Sequence, residues 1–444
     1  VQLLSSIQIK YYICSIKYVV SHIKNTRIMI ISRDKYLRQL VVAKGNGMVK
    51  IVTGIRRSGK SFLLMTLFHQ HLIEHGVQEN RIIELSMDNR KNKRLRNPDV
   101  LLEHIDSLVQ TDGQTYYVIL DEVQLVEDFV EVLLSLMQDK RLDVYVSGSN
   151  SKFLSKDVVT EFRGRGDEIH LYPLSFSEYY GAVGGDKHEA WKNYYTYGGL
   201  PQVLLTDDEE KKVNYLTDLY ELTYLKDIIE RNHLRNVDGL RTLIRVLASN
   251  IGTPTNPKRI ANTFQSTESV RIKDSTIRDY IGYLQDSFLI EEALRYDVKG
   301  RKYIGTETKY YFADMGLRAA ILNLRQQEET HIMENVIYNE LRMRGYRVDV
   351  GVVETWTTNA ENKTMRMSLE IDFVINKGAE RIYIQSAYRM PNEDKEKQEK
   401  RSLLSTNDNF RKIIITYDDI KRKIDEQGII TISLLDFLLD PNSI

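Results

Sequence analysis

The first part of the chain alternates short apolar runs with longer amphipathic stretches. Apolar runs lead up to residue 54, occupy residues 81–88 and 116–120, and recur just before the polar residues 147–151. The segment that follows residue 60, SFLLMTLFHQHLI, has the apolar period of a helix. Buried strands that alternate with helices are typical of a parallel sheet covered by helices on both faces. We therefore predict an α/β fold for residues 31–205.

The pattern changes after residue 205. Residues 209–250 have the apolar stripes of otherwise polar helices. A short helix, PKRIANTFQ, is predicted from residue 257, and after a Ser/Thr-rich turn a further helix is predicted in KDSTIRDYIGYLQDSFLI. Two strand-like runs come next, EEALRYDV and KYYFAD, joined through KGRKYIGTET. Helices followed by a hairpin are the order of a winged helix. We predict a helical linker over 206–235 and a winged-helix segment over 236–326.

The last part of the chain, residues 327–444, combines helices and strands again. HIMENVIYNELRMRGYRVDV predicts an amphipathic helix and a strand, and LEIDFVINKG and AERIYIQSAYRM predict two strands across a Lys-Gly turn. A Glu on a helix, an Asp on a strand and then a paired strand resemble the restriction-endonuclease-like PD-(D/E)xK fold. The resemblance implies an α/β C-terminal domain of that type.

Composition narrows the class of protein. The 444 residues are 42% hydrophobic and 28% charged, which suits two or three soluble domains. Basic and acidic residues number 62 each, so any nucleic-acid binding must come from local patches. The single Cys14 excludes an internal disulfide and a cysteine metal cage. The sequence contains no stretch of 18 uncharged apolar residues, so we predict no membrane span. We expect a cytoplasmic protein without membrane contact.

The first 28 residues contain four cations and no acidic residue. They lack the charged front and small-residue cleavage site of a secretory signal. We expect residues 1–30 to be a poorly ordered extension ahead of a start at Met29, with a transit peptide as the alternative.

Residues 54–61, GIRRSGKS, match the phosphate-loop pattern G-x-x-x-x-G-K-[ST] at every fixed position. The match lies between a predicted strand and a predicted helix, where backbone N–H groups face phosphates. Lys60 would contact the β- and γ-phosphates, and the Ser61 hydroxyl would ligate Mg²⁺. The predicted ATP-binding residues are Gly54, Ile55, Arg56, Arg57, Ser58, Gly59, Lys60, Ser61 and Phe62. The alternative is a purely structural strand-turn-helix.

A second part of this site is predicted where the apolar run 116–120 ends at Asp121 and Glu122. Asp121 would hold the Mg²⁺ through water, and Glu122 would polarise the attacking water. Ser149 and Asn150, which follow another strand, are candidates to sense the γ-phosphate or orient that water. The alternative for both is a turn or a helix N-cap.

A glycine-rich loop then presents Arg163 and Arg165 around Gly164. Such a loop can supply an arginine finger, in this chain or to a neighbouring subunit. The alternative is a solvated basic loop.

Five motifs together resemble one family: TGIRRSGKS, ILDEVQ, VSGSNSKFLS, GRGDEIHLYPLSFSEY and YGGLPQVLL. They look like the prokaryotic AAA+ ATPases with a C-terminal domain of unknown function, which are P-loop ATPases related to the archaeal-ATPase and STAND groups. The resemblance covers about residues 31–440. It implies that the phosphate loop, the acidic strand end, the polar sensor and the Gly-Arg loop line one ATP site. It also implies that Pro201 contacts the adenine, whereas the residues alone indicate only a helix break.

Cations in the winged-helix segment are candidates for contact with DNA phosphates. They are Lys299, Arg301 and Lys302 at the wing tip, and Arg271, Lys273 and Arg278 at the recognition helix. Acidic neighbours make the patch mixed in charge, and the alternative is a winged helix that serves only to pack domains together.

A working PD-(D/E)xK site needs an Asp and then Glu-x-Lys, so that two carboxylates hold Mg²⁺ and the lysine positions water. Glu334 and Asp372 are present, but Gln385, Ser386 and Ala387 stand where Glu-x-Lys belongs. A Gln is a poor ligand for a hard cation. We expect a vestigial nuclease site in a fold retained for recognition or assembly.

The function predicted from these observations is an ATP-binding and ATP-hydrolysing AAA+ switch that uses Mg²⁺. Its nucleotide state would be coupled to winged-helix and C-terminal domains that bind DNA. One alternative is a regulatory ATPase that scaffolds protein partners or self-associates without DNA. A third class is an ATP-dependent nuclease.

Overall fold

The structure is a computed structural model, and it describes residues 18–20, 29–31, 33–148, 164–267, 272–325, 328–358 and 364–444. The predicted extension 1–30 lies mostly outside the described residues, so its predicted lack of order stays a prediction. The chain divides into two compact units. The first comprises Val1–Pro173 and Glu178–Gly184, and the second comprises Leu174–Ser177 and Gly185–Ile444.

The first unit contains seven described strands and most of the early helices. The strands are β1 (Tyr18–Val20), β2 (Met29–Ile31), β3 (Val49–Thr53), β4 (Ile82–Ser86), β5 (Tyr116–Asp121), β6 (Leu142–Ser147) and β7 (Gly166–His170). The helices are α1 (Asp34–Ala43), α2 (Lys60–Phe62), α3 (His69–Glu74), α4 (Pro98–Leu108), α5 (Phe129–Gln138) and α6 (Phe176–Val183), which begins at the border. A π-helical stretch, Leu63–Phe68, joins α2 to α3, and 3₁₀ turns cover Glu79–Arg81, Arg90–Arg96 and Val123–Leu125.

Five of these strands form a parallel sheet in the order β4-β5-β6-β3-β7. One apolar core joins Val49 and Ile51 of β3 to the buried sides of α4 and α5. A second core joins Val52 of the same strand to α1 and to the helix that follows residue 60. Because both faces are covered, the strands are apolar along their length. The predicted parallel α/β architecture is confirmed.

The strand order places three polar chain segments at one edge of this sheet. Strand β6 lies between β3 and β5, and all three run in the same direction. Their carboxyl ends, at Thr53, Ser147 and Asp121, are therefore neighbours. The carboxyl edge of a parallel sheet is the usual ligand-binding edge of such folds.

The second unit begins with helices and ends with a mixed sheet. Its helices are α7 (Lys187–Tyr197), α8 (Pro201–Leu204), α9 (Glu209–Asp218), α10 (Lys226–Arg231), α11 (Val237–Ser249), α12 (Pro257–Thr267), α13 (Asp274–Asp286), α14 (Met315–Ile321), α15 (Glu329–Met343), α16 (Glu393–Leu404) and α17 (Leu434–Leu439), with a π-helical stretch at Leu219–Leu225. Its strands are β8 (Ile290–Asp297), β9 (Lys302–Phe312), β10 (Arg347–Thr358), β11 (Thr364–Lys377), β12 (Glu380–Ala387), β13 (Arg411–Thr416), β14 (Lys423–Ile424) and β15 (Ile429–Ser433).

These eight strands form one sheet in the order β14-β15-β13-β12-β11-β10-β8-β9. The β8–β9 hairpin, at the predicted wing, joins it because residues 295–297 pair in parallel with residues 350–352. Val298 packs in the same core as Val353 and Leu403. The predicted border between residues 326 and 327 therefore crosses a continuous sheet and core, which apolar pattern alone does not show. The division into winged-helix and nuclease-like domains stays a prediction.

No helix in the described ranges is both long enough and apolar enough to cross a bilayer.

Candidate functional site

The loop after β3 has the conformation that its glycines allow. Gly54 has φ +131°, and a Cβ atom there would lie 2.2 Å from the Leu171 carbonyl oxygen. Gly59, which precedes helix α2, has φ 97°. Both backbones are unfavourable for residues with a side chain, so these two positions of the motif require glycine. Arg57 also has a positive φ, of 66°, and carries strain of the kind that clusters at ligand sites.

Lys60 is buried at the first residue of helix α2, with 5% of its surface exposed. Its ammonium group donates hydrogen bonds to the carbonyl oxygens of Gly54 (2.9 Å) and Ile55 (3.0 Å). Burial lowers the pKa of Lys60 to about 8, against the attraction of Glu122 and Asp121. Arg56 lowers this pKa further, so it lies close enough to Lys60 to repel it. A buried ammonium group whose hydrogen-bond acceptors are neutral carbonyls is favourably placed to receive an anion.

Asp121 ends strand β5 and contacts two hydroxyl groups. Ser147 Oγ, from the end of β6, donates a hydrogen bond to Asp121 Oδ1, and Ser61 also bonds this carboxylate. Burial raises the pKa of Asp121 and the two serine hydrogen bonds oppose that rise. The structure thus brings together Ser61 and Asp121, the two residues predicted to hold Mg²⁺.

Glu122 lies beside this pair in a left-handed backbone conformation, with φ 52°. Its backbone N–H donates to Ser147 Oγ (3.2 Å), and its side chain accepts a hydrogen bond from Gln124. A non-glycine residue in this region costs of order 1–3 kcal/mol and is held there by its surroundings. Ser147 therefore holds the backbone of Glu122 as well as the carboxylate of Asp121.

The arrangement fits a magnesium–nucleotide complex. A hydroxyl and a carboxylate are the oxygen ligands that Mg²⁺ prefers. The Ser58 side chain is 1% exposed, and its Oγ has no hydrogen-bond partner among the described residues, so a polar group remains for a phosphate oxygen.

The other loop side chains differ in exposure: Ile55 is buried, Arg56 and Phe62 are half-buried, and Arg57 is exposed.

Arg165 is not brought to this cluster. Its carbonyl oxygen accepts a hydrogen bond from the N–H of Val49, at the amino end of β3. Thr53, at the phosphate-loop end of that strand, is about 13 Å further along. The backbone of Arg165 therefore lies toward the opposite end of β3 from the phosphate loop, and its catalytic role, in this chain's own site or toward a neighbouring subunit, stays a prediction. Asn150, Ser149, Arg163 and Arg271 lie outside the described residues.

Pro201 begins helix α8 in the second unit. The preceding Gly199 donates its N–H to the carboxylate of Asp314 (2.7 Å), which also accepts from Leu317 at the start of α14. The structure thus shows what fixes the Gly-Gly-Leu-Pro segment, and the contact of Pro201 with adenine stays a prediction.

The predicted nucleic-acid contacts differ in their surroundings. Arg278 forms an ion pair with Asp274 one helical turn earlier, and Lys273 is the exposed residue before helix α13. Lys299 donates to the carbonyl oxygen of Glu354 (2.9 Å). Arg301 and Lys302 are exposed.

A second polar cluster surrounds Lys309 on strand β9. Its Nζ lies 2.9 Å from Glu334, 2.7 Å from Glu370 and 3.9 Å from Asp372. The Tyr311 hydroxyl donates to the same Glu334 oxygen (2.7 Å). Burial alone would lower the pKa of Lys309, but the three carboxylates raise it above its ordinary value. The structure thus brings Glu334 and Asp372 together around an ammonium ion.

Gln385 has a different environment. Its side-chain oxygen accepts a hydrogen bond from Ser402 of helix α16 (3.3 Å), while the backbone N–H of Ser386 donates to Asp372 (2.8 Å). In the part of the chain that the structure describes, no group of His, Cys, Asp and Glu side chains has the arrangement of a metal site. The vestigial character of the nuclease site stays a prediction, and the position of Lys309 is consistent with it.

The sequence alone does not identify two residues of these clusters, Ser147 and Lys309. Ser147 had a usable signal, because it is the last residue of an apolar strand predicted beside the acidic one. Lys309 lies in KYYFAD, whose pattern predicts a strand but gives no role to the lysine. Its partners are 25 or more residues away in sequence, so spacing gives no signal.

Comparison with known proteins agrees with this geometry. A family model described as "AAA domain" matches residues 46–180, and one described as "Domain of unknown function (DUF8612)" matches residues 188–328. An "Uncharacterized protein" of Haemophilus influenzae is 32% identical over 415 residues, which are 92% of this chain and 99% of that protein. "Uncharacterized protein MJ1544" of Methanocaldococcus jannaschii is 25% identical over 397 residues, 84% of this chain and 82% of that protein.

Among solved structures, Cdc6p from Pyrobaculum aerophilum overlaps 69% of this chain and 95% of its own, with 13% identity and a TM-score of 0.29. A TM-score this low supports no conclusion about function. The AAA-domain match and the full-length relative carry the assignment. The chain therefore belongs to the same family as this Haemophilus influenzae protein, and its residues 46–180 match the AAA-domain family model.

Proposed function

We propose that the protein is an ATP-hydrolysing switch whose nucleotide site is the carboxyl edge of the five-stranded sheet. The observation that carries this proposal is the convergence of Lys60, Ser61, Asp121 and Glu122 at that edge, with Ser147 bridging the last two. The parts needed to bind a triphosphate and to activate water are then within one cluster.

Each side chain has a role that follows from its chemistry. Lys60 and the loop amides bind phosphate oxygens, because they are cationic or donor groups at a helix N-terminus. Ser61 and Asp121 hold Mg²⁺, which neutralises phosphate charge when bound. Glu122 accepts a proton from the attacking water. Ser147 positions Glu122 and Asp121 through its two hydrogen bonds.

We further propose that nucleotide state is coupled to the second unit, and that this unit contacts DNA. Helices α11 to α13 followed by the β8–β9 hairpin have the order of a winged helix, and Lys299, Arg301 and Lys302 are exposed at its turn. A protein scaffold that does not bind DNA is the second candidate, favoured by the ion pair that occupies Arg278. Salt-dependent DNA binding that weakens in Arg301→Glu/Lys302→Glu separates the two.

An ATP-dependent nuclease fits less well. Lys309 already neutralises part of the charge of Glu334, Glu370 and Asp372. A lysine inside the carboxylate cluster competes with any divalent cation for the same oxygens.

The ATPase proposal is tested with Glu122→Gln. This variant should bind ATP as the wild type does, while its steady-state turnover falls by about 10²-fold or more, because a general base contributes on that order. Glu127→Gln is the matched control, since Glu127 is an exposed glutamate in the same connection. Hydrolysis that persists in Glu122→Gln would show that another group activates the water.

A further inference from the structure

A pocket of about 390 Å³ in the second unit has a cationic lining that no motif indicated. It lies between the wing turn (residues 298–301), strand β10 and the C-terminal half of helix α16. Among the residues that the structure describes, four of the lining side chains are cationic and none is a carboxylate. The cations are Lys299, Lys397, Lys400 and Arg401.

The wing turn is held firmly against this pocket. The N–H of Val298 donates to the carbonyl oxygen of Val352 (2.9 Å), and Lys299 Nζ donates to that of Glu354 (2.9 Å). Val298 is also part of the hydrophobic core beneath the sheet. Lys299 is therefore a fixed cation at the edge of the pocket.

The three cations on α16 share one side of that helix, because residues three or four apart lie one above the other. Lys400 is held by Glu396 (2.6 Å) and Asp425 (2.7 Å), with 13% of its side chain exposed. The Lys397 side chain is 72% exposed and lies 3.7 Å from Glu393. Arg401 is exposed and forms no ion pair with any residue that the structure describes. Lys397 and Arg401 are thus accessible to an anion.

This cationic surface extends beyond the pocket. Arg301 and Lys302 follow Lys299 in the chain at the wing turn, and both are exposed. Thr355 and Asn407 add neutral hydrogen-bonding groups to the lining. Cations together with neutral polar side chains are the groups that contact nucleic-acid phosphates. The cations lie on two separate elements, the wing turn and helix α16. This arrangement fits a polyanion with regularly spaced negative charges, because a single small anion would contact only the pocket.

We propose that this pocket binds the phosphodiester backbone of a nucleic acid and, with the wing turn, forms one continuous binding surface. The proposal rests on the proposed contact of the second unit with DNA, and it assigns part of that contact to helix α16 of the C-terminal region. DNA and RNA share this backbone chemistry. A chain with zero formal net charge would then bind through one local patch.

The test uses the full chain and fluorescence anisotropy with labelled 20-mers of duplex DNA, single-stranded DNA and single-stranded RNA across a salt series. Lys397→Glu/Arg401→Glu should weaken binding of the preferred 20-mer by at least about tenfold near 0.1 M salt. It should also flatten the slope of log K against log salt by about 1.4 to 1.8, as expected for two lost phosphate contacts. Lys397→Gln/Arg401→Gln should shift both quantities the same way but less.

The matched control is Lys211→Glu/Lys226→Glu, two exposed lysines of the same unit on other helices. It changes net charge equally but should leave binding within about twofold, because neither lysine lines the pocket or belongs to the wing turn. Equal binding by wild type and Lys397→Glu/Arg401→Glu, or binding of polyglutamate but of no nucleic acid, would overturn the proposal. ATP turnover without nucleic acid should be unchanged in both pairs. If the wild type hydrolyses no ATP, that result refutes the ATPase proposal and leaves the nucleic-acid proposal unaffected.

Discussion

Two buried lysines, Lys60 in the first unit and Lys309 in the second, have opposite electrostatic surroundings. The hydrogen bonds of Lys60 go to two backbone carbonyls, and burial lowers its pKa to about 8. Lys309 is as deeply buried, at 2% exposure, but three carboxylates raise its pKa above the ordinary value. Desolvation acts on both ammonium groups, but Lys60 also feels the repulsion of Arg56, whereas Lys309 is surrounded by three carboxylates.

The difference indicates which cluster binds a ligand. An ammonium group with neutral acceptors gains free energy when an anion arrives, so Lys60 suits phosphate binding. Lys309 has its counter-charges built in, so its role is to hold strand β9 to β11 and helix α15. The two lysines should therefore respond differently to the same substitution.

Lys309→Met should give the largest effect, a loss of about 3–5 kcal/mol in the free energy of unfolding. It leaves Glu334 and Asp372 buried without their counter-ion. The measurement is thermal unfolding of the full chain by circular dichroism, with an expected fall of at least about 6 °C. Lys302→Met, at the exposed start of the same strand, is the control and should change little. A loss below about 1 kcal/mol in Lys309→Met would mean that the carboxylates do not depend on this lysine.

The pH dependence of ATP affinity sharpens the comparison. Because the pKa of Lys60 is lowered to about 8, its charge is present at pH 7 and mostly lost at pH 9. Bound phosphate would raise that pKa, so the dissociation constant for ATP should increase about tenfold from pH 7 to pH 9. Isothermal titration calorimetry at several pH values measures this. The same titration with Lys60→Met should be nearly flat over that range, and an equal slope in both proteins would assign the effect to another group.

Ser147→Ala should have a smaller effect, about 1 kcal/mol in unfolding free energy, because it removes hydrogen bonds to Asp121 and Glu122. Turnover should fall more than ATP affinity, since Glu122 loses a contact that fixes its backbone. Ser86→Ala, at the end of strand β4, is the control on the same sheet edge. Unchanged turnover in Ser147→Ala would show that other contacts position Glu122.

Much of the first unit could be predicted from its residues. The strand before residue 54 is covered by helices on both faces, which explains its apolar run. The glycine positions and Lys60 follow from the phosphate-loop pattern in the local sequence. The pairing of Ser61 with Asp121 was also predictable, because a phosphate loop and an acidic strand end occur together in one kind of site. The sequence does not single out Ser147, because Ser149 and Asn150 follow the same strand and are polar candidates for the same site.

The second unit was harder to predict because its decisive contacts are long-range. The parallel pairing of β8 with β10 joins residues 295–297 to residues 350–352, and nothing in either segment specifies the other. Strand β9 starts at Lys302, inside a stretch that was predicted as a connection, because a Gly-Arg-Lys-rich sequence has low strand propensity. The carboxylates around Lys309 come from β11 and α15, so only the folded chain shows that they meet.

ATP binding by wild type and Lys60→Met, measured by titration calorimetry with Mg²⁺ at pH 7, tests the nucleotide site most directly. We predict that the wild type binds ATP and that Lys60→Met binds about tenfold to a hundredfold more weakly, the cost of a charged hydrogen bond. Its unfolding temperature without nucleotide should stay at or above that of the wild type, because a desolvated ammonium group is removed. Equal affinity in both proteins, or no ATP binding by the wild type, would contradict the account.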